Sequence, residues 1–150
     1  MDKPNQWFEH LKKDFARGFI AFCDFEATHA DHGRFESCLQ VVDRHRQQDG
    51  FVHAGVLATM ADHTTGYASY TTVSDNFRIL TVEFKINYFK PAIGPLIICR
   101  ARVSNNGKRI KVAEAEIFSV SDDGIEKLVS KGMFTQIAIK SDDLHANGQR

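Results

Sequence analysis

The 150-residue chain lacks the features that mark several large classes of protein. Its 19 basic and 19 acidic residues balance to a formal net charge of zero, which argues against a protein built mainly to hold nucleic acid or to adhere to an acidic membrane surface. No stretch approaches the roughly 18 apolar residues needed to span a bilayer. No apolar signal-peptide core follows Met1. We therefore expect neither a nucleic-acid nor a membrane partner.

Cysteines and cofactor motifs are equally scarce. Cys23, Cys38 and Cys99 lack CxxC spacing and lie in apolar or strand-like segments, which favours buried free thiols and a reducing, cytoplasmic compartment. Walker loops, Gly-x-Gly-x-x-Gly loops and Gly-x-Ser-x-Gly elbows are absent, and the histidines lack the HxxxH spacing of a helical metal site. The sequence therefore predicts no metal and no bound cofactor.

The apolar share of 43% and the charged share of 25% are typical of a soluble globular protein. We expect a single domain over residues 1–140 and a polar, frayed C-terminal tail over residues 141–150. An amphipathic N-terminal helix that ends near Gly18 is predicted by apolar residues at helical spacing, namely Trp7, Phe8, Leu11 and Phe15.

Two extended segments, at residues 19–29 and 34–44, are predicted next. A segment from about His53 to Tyr70 follows, and because it is apolar on most sides in its first half it predicts a buried helix. From Leu80 to Tyr88 apolar and polar residues alternate, which indicates a half-buried strand.

Two turn motifs in the second half, Asn105-Asn106-Gly107 and Asp122-Asp123-Gly124, predict hairpins between further long strands. The expected fold class is therefore α+β, with long antiparallel strands that curl around one buried helix.

The buried helix carries one carboxylate, Asp62, among apolar neighbours. Burial of a carboxylate is unfavourable unless it has partners or a function. From the residues alone, catalysis and a structural bond to Thr65 or to the backbone both stay open. Small residues, Ala54 and Gly55, occupy the start of the helix, where free backbone N–H groups can bind an anion or an oxyanion.

These motifs resemble those of the hotdog-fold acyl-CoA thioesterases. The family pattern is His-Gly-Gly, a short apolar stretch and Asp, and here Asp62 follows His53 by nine residues. The strand that ends in Tyr88-Phe89-Lys90-Pro91-Ala92 resembles the family's Tyr-x-x-Pro-Ala. The resemblance covers about residues 35–139 and is strongest for the branch that contains the phenylacetate-pathway thioesterase and the mammalian thioesterase superfamily members.

The resemblance implies hydrolysis of an acyl-CoA substrate by a homodimer or homotetramer with active sites at the dimer interface. Asp62 would be the general base or nucleophile, and the backbone N–H of Ala54 would bind the thioester carbonyl oxygen. Other family roles carry over by position. Gln47 stands where the family has the amide that orients the water or the carbonyl, and His53 with Gly55 supports the motif. Thr81 stands where the other subunit supplies a hydroxyl that holds the water.

Strand alternation places Thr81 opposite the core-facing residues of its strand. Gly107 and Lys108 stand where many members have Gly-Arg, and cations there would suit the phosphates of coenzyme A, as would Lys90 and Arg109. A solvated basic edge that discourages strand pairing is the alternative for each cation.

Two other functions stay open at this level. One is a hotdog module that binds acyl-CoA without turnover, as a sensor or carrier. The other is hydration or dehydration of an acyl thioester, although those enzymes usually pair an Asp with a catalytic His in a different motif, which is absent here. The sequence leaves three points open: the acyl chain that is preferred, whether the protein is a dimer or a tetramer, and whether the acyl group is carried by coenzyme A or by acyl carrier protein.

Overall fold

A six-stranded antiparallel sheet forms the body of the protein in the computed structural model, which describes residues 5–147. The strand order is β1-β2-β4-β5-β6-β3. The strands are β1 (Glu26–Asp31), β2 (Arg34–Gln40), β3 (Phe77–Tyr88), β4 (Leu96–Asn106), β5 (Ile110–Val120) and β6 (Glu126–Lys140). The helices are α1 (Asn5–Phe15), α2 (Phe19–Phe22), α3 (Ala54–Tyr70) and α4 (Ser141–Asn147), with a 3-10 turn at Asp43–His45.

Helix α3 packs on one face of the sheet, and the main core lies between them. Met60 and Ala61 are fully buried on α3. Two polar contacts fix the helix on the sheet: the hydroxyls of Ser37 and Thr64 lie 2.7 Å apart, and the Ser69 hydroxyl lies 2.6 Å from the amide of Gln136. Since buried polar groups need partners, these pairs specify how the helix is seated. The predicted α+β architecture, with one long helix wrapped by an antiparallel sheet, is confirmed.

The N-terminal part confirms one prediction and corrects another. Helix α1 buries Leu11 and Phe15, and the Phe15 ring stacks on Phe35 with centroids 5.2 Å apart, as expected of an amphipathic helix. Residues 19–22 form the short helix α2, so the extended segment predicted from residue 19 is wrong there. Gly18, at φ 55, redirects the chain, and Ile20 anchors the turn at 6% exposure.

Both predicted hairpins are present. Strands β4 and β5 pair antiparallel around the turn at Gly107, and β5 and β6 pair around Gly124. A Cβ atom at Gly107 would lie 2.3 Å from the carbonyl oxygen of Ile110, so this tight turn requires glycine.

Among residues 5–147, strand β3 is an edge strand that pairs with β6 alone, and its register shifts between Thr81 and Glu83. This bulge breaks the simple alternation, because one extra residue reverses the face of those that follow. As a result Thr81 faces α3, and so does Phe84, whose ring stacks on buried Phe134 at 5.0 Å. The prediction that Thr81 lies opposite the core-facing residues is therefore wrong.

Edge position also leaves β3 more exposed than the half-buried strand expected from the sequence. Four of its apolar residues are between 41% and 57% exposed, namely Leu80, Val82, Phe84 and Tyr88. An open apolar edge is a surface on which another strand can pair.

The C-terminal segment begins with helix α4, where the sequence predicted a frayed tail. Residues 148–150 of that predicted tail lie outside the described residues. Within the described residues, every helix is too short or too polar to cross a bilayer.

Candidate active site

The first turn of α3 presents one unused hydrogen-bond donor. His53 caps the helix: its Nδ1 accepts from the Gly55 N–H at 2.8 Å, and its carbonyl accepts from Val56 at 3.0 Å and Leu57 at 3.3 Å. The N–H of Ala54 makes no hydrogen bond within residues 5–147. Because it lies at the positive end of a 17-residue helix, this N–H is suited to an oxygen that carries developing negative charge.

The capping bond also fixes which ring nitrogen of His53 carries the proton. Since Nδ1 accepts a hydrogen bond, the neutral ring carries its hydrogen on Nε2. The exposed ring can therefore donate from Nε2 to a bound group. In that tautomer neither ring nitrogen is free to accept a proton from substrate, because Nε2 carries hydrogen and Nδ1 accepts from Gly55.

A polar loop before the helix holds Gln47. The Gln47 N–H donates to the Phe51 carbonyl at 2.8 Å, and the side-chain oxygen of Gln47 accepts from the Asp49 N–H. Its side-chain amide nitrogen has no partner among the described residues, so this NH₂ group can donate a hydrogen bond to a bound ligand. Together with His53 and Ala54 it lines a cavity of about 480 Å³. We call this space the loop-side cavity.

Strand β3 closes the loop-side cavity from the opposite wall. The hydroxyl of Tyr88 donates to the Ala54 carbonyl at 3.0 Å, and Lys90 also lines the cavity. Sequence reasoning noted Tyr88 within the Tyr-x-x-Pro-Ala pattern but did not assign it this contact. The signal that could have found it is the position of a tyrosine at the end of the strand that faces the helix N-terminus.

Asp62 lies two turns further along α3 and is half-buried. Its Oδ1 accepts a hydrogen bond from the Thr81 hydroxyl at 2.7 Å. Thr65, the structural partner considered from the sequence, instead donates its hydroxyl to the backbone carbonyls of Ala61 and Asp62, at 2.9 Å each. The carboxylate is therefore held by β3 and keeps its other oxygen open to a cavity.

That cavity, of about 630 Å³, is bounded by α1, α3 and the start of β3. We call it the Asp62 cavity. On its α1 wall Asp14 pairs with Arg17 at 2.8 Å and accepts from the Tyr67 hydroxyl at 2.7 Å. Burial acts to raise the pKa of Asp14, but these hydrogen bonds outweigh it and leave that pKa below its ordinary value. Burial, together with the nearby Asp14, raises the pKa of Tyr67, so its hydroxyl stays protonated.

Within one copy of the chain the two cavities are separate. They share no lining residue, and Ala54 and Asp62 lie about 12 Å apart along the helix, from the rise per residue. A single thioester group is too small to touch both. The fold therefore brings Gln47, His53 and Ala54 together, and separately brings Asp62 and Thr81 together.

Three of the four predicted phosphate-binding residues lie elsewhere, whereas Lys90 lines the loop-side cavity. Gly107, Lys108 and Arg109 form the β4–β5 turn, at the end of the sheet away from the loop-side cavity, and they line neither cavity. Lys111, a further basic residue near this turn, is 3% exposed and donates from Nζ to the Gly107 carbonyl at 3.2 Å. Burial lowers the pKa of Lys111. Its position in line with Ala113 on a buried strand face could have indicated this structural function.

No group of three or more potential ligands from His, Cys, Asp and Glu lies close enough to hold a metal ion within the described residues.

Comparison with known proteins gives a consistent result. A family model described as the thioesterase superfamily matches residues 49–126. A thioesterase family protein from Silicibacter pomeroyi is 30% identical, with a TM-score of 0.84, and the match covers 89% of this chain and 98% of that one. The protein smu.793 from Streptococcus mutans UA159, solved bound to acetyl CoA, is 25% identical with a TM-score of 0.67, covering 78% of this chain and 90% of that one.

A presumed esterase of Saccharolobus solfataricus, SSO1253, is 28% identical over 135 residues, which is 88% of this chain and 83% of that protein. The matches to curated relatives differ in extent, and the shortest spans 63% of the relative's length.

Proposed function

The chain belongs to the thioesterase superfamily, and from this we propose that it hydrolyses the thioester bond of an acyl-CoA to a carboxylic acid and coenzyme A. The observation that carries the proposal is the Asp62 carboxylate, oriented by Thr81 at the wall of an open cavity. The unused N–H of Ala54 supplies the complementary oxyanion donor. Acetyl CoA bound to the similar Streptococcus mutans protein supports coenzyme A as the carrier.

The reaction needs few groups, because thioesters are reactive acyl donors. The thioester carbonyl oxygen accepts from the Ala54 N–H, with Gln47 and His53 as neighbouring donors. Asp62 takes a proton from water as the water oxygen bonds to the carbonyl carbon. The tetrahedral intermediate then collapses, the carbon–sulfur bond breaks, and the departing thiolate receives the proton from Asp62. Direct attack by Asp62, followed by hydrolysis of the resulting anhydride, gives the same products.

We further propose that each active site is built by two copies of the chain. Ala54 and Asp62 of one copy are too far apart to act on one carbonyl, whereas the edge strand β3, which carries Thr81, is open to a second copy. A two-fold pairing of β3 edges would generate two equivalent sites. In each, Asp62 and Thr81 come from one subunit and the loop-side cavity from its partner.

The first experiment measures free-thiol release from acyl-CoAs of different chain length and chemistry by the wild type and Asp62→Asn. The substitution keeps the shape and an acceptor for Thr81 but removes the base, so we expect a loss of at least about a hundredfold in kcat. Glu83→Gln is the matched control, since Glu83 also accepts a threonine hydroxyl, that of Thr135 at 2.6 Å, on the opposite face of the sheet. Equal activity of Asp62→Asn and wild type would refute the mechanism. Binding of acyl-CoA without turnover would favour the non-catalytic module.

Subunit mixing tests the composite site. Asp62→Asn lacks the base, and Ala54→Pro lacks the oxyanion N–H. If each site uses one residue from each subunit, a mixed dimer contains one intact site. Reassembly of the two inactive variants in equal amounts should then restore about a quarter of wild-type activity, because half of the dimers are mixed. No recovery, with mixed dimers shown by native mass spectrometry, would place both residues in one subunit's site.

A further inference from the structure

The Asp62 cavity has a floor made by one stripe of helix α3. Asp62, Gly66 and Tyr70 recur one turn apart on the same face and all line the cavity. Asp62 lies at one end and Tyr70 at the other, about 12 Å away. A Cβ atom placed on Gly66 would meet only the side chain of Gln136, at 3.8 Å. Packing therefore does not require glycine here, and the missing side chain leaves a groove that leads away from the carboxylate.

The far end of the groove holds a cation without a counter-ion. Nη1 of Arg78 donates to the Tyr70 hydroxyl at 2.8 Å and to the backbone carbonyls of Asp75 and Phe77, each at 2.7 Å. All of these acceptors are neutral, and no carboxylate pairs with Arg78 within residues 5–147. The guanidinium has further N–H groups, on Nε and Nη2, that bond no described residue. Arg17, the other arginine of this cavity, is already neutralised by Asp14.

The remaining walls present polar and apolar groups in similar measure. His10 and Asp14 line the α1 side, whereas Ile79 and Leu80 supply the aliphatic surface on β3. A long alkyl chain in this groove would displace water from polar side chains and give them no partner, which is unfavourable. A short acyl group whose far end carries a hydrogen-bonding anion fits both the length and the chemistry of the groove.

Resting on the proposed function, we propose that the substrates are short acyl-CoAs with a carboxylate at the end distant from the thioester. The thioester lies beside Asp62, the carbon chain lies over Gly66, and the distal carboxylate binds Arg78 beside Tyr70. Arg78 can offer this carboxylate two parallel N–H groups, which is the geometry that guanidinium groups favour. Arg78 is in this way a specificity-determining residue that takes no part in bond breaking.

The test compares a matched pair of substrates, hexanoyl-CoA and its carboxylated analogue adipoyl-CoA. We expect the wild type to have the higher kcat/KM for adipoyl-CoA. Arg78→Met keeps the apolar stem and removes the charge, so kcat/KM for adipoyl-CoA should fall roughly 10- to 100-fold while that for hexanoyl-CoA changes little. Arg78→Lys should keep part of the preference. Arg102→Met is the control, because Arg102 pairs with Glu114 on the opposite face of the sheet.

A second variant tests the position of the groove. Gly66→Leu should block it, so that adipoyl-CoA and hexanoyl-CoA lose turnover while acetyl-CoA is retained. Ala58→Leu fills the neighbouring cavity on the other side of Asp62, which is lined by Phe19 and Phe84, and should leave the preference unchanged. A wild type that prefers hexanoyl-CoA, or a chain-length range that moves with Ala58→Leu and not with Gly66→Leu, would overturn the proposal. Absence of turnover on every substrate would instead count against the proposed hydrolysis.

Discussion

Replacement of Ala54 by proline removes the proposed oxyanion donor and almost nothing else. Ala54 is the first residue of α3, where proline is well tolerated because its missing N–H would have no helical partner. The preceding residue, His53, has φ −62 and ψ 135, the extended conformation that residues before proline adopt. The variant therefore loses no internal hydrogen bond, and we expect its stability to stay unchanged or to rise by up to about 1 kcal/mol.

The expected loss of activity is much larger. Removal of one oxyanion donor lowers kcat by roughly 10²- to 10³-fold, about 2.7–4 kcal/mol of transition-state stabilisation. Thiol release with the best acyl-CoA gives kcat, and chemical denaturation gives the free energy of unfolding. Ala54→Val is the control, because valine adds bulk at the same position but keeps the N–H, and it should retain most of the wild-type kcat. An Ala54→Pro enzyme within threefold of the wild type would exclude this N–H from the mechanism.

Three further predictions concern single residues. Thr81→Val should lower kcat/KM about tenfold through loss of the hydrogen bond that orients Asp62, whereas Thr135→Val, which removes an equivalent bond to Glu83, should not. Burial lowers the pKa of His63 below its ordinary value of 6.5, so on acidification the unfolded chain takes up a proton at this residue before the folded protein does. The free energy of unfolding of the wild type should therefore fall as the pH drops below about 6.5, and that of His63→Gln should fall less. Val82→Arg should prevent dimer formation in analytical ultracentrifugation, and an unchanged dimer would exclude the β3 edge as the interface.

The sequence was sufficient for the features that depend on local spacing. The helix that begins after His53 and carries Asp62 could be predicted because its apolar pattern and its N-terminal small residues are local signals. The orientation of Thr81 could not, since it depends on a bulge created by the pairing of β3 with β6. Residues 19–22 were also misassigned, because a single turn of helix is stabilised by tertiary packing and leaves little periodic signal.

The distal end of the groove shows a second limit of sequence reasoning. Tyr70 lies at the end of α3 and Arg78 near the start of β3, and nothing in their spacing indicates that the hydroxyl and the guanidinium meet at 2.8 Å. The loop that joins the two elements determines this contact. In the fold this exposed arginine lies at the end of a cavity, with neutral groups as its hydrogen-bond acceptors.

Gly66 was the signal in the sequence that could have revealed the groove. Glycine inside a helix is less favourable than alanine by roughly 0.5–1 kcal/mol, and the contact distance of 3.8 Å leaves room for a methyl group. Gly66→Ala should therefore stabilise the protein by about that amount in chemical denaturation. If the acyl group lies over this position, the same methyl group should lower kcat/KM for adipoyl-CoA and leave acetyl-CoA turnover unchanged. A more stable enzyme with unaltered kcat/KM for both substrates would show that the glycine serves neither packing nor substrate, and the groove would lose its assigned function.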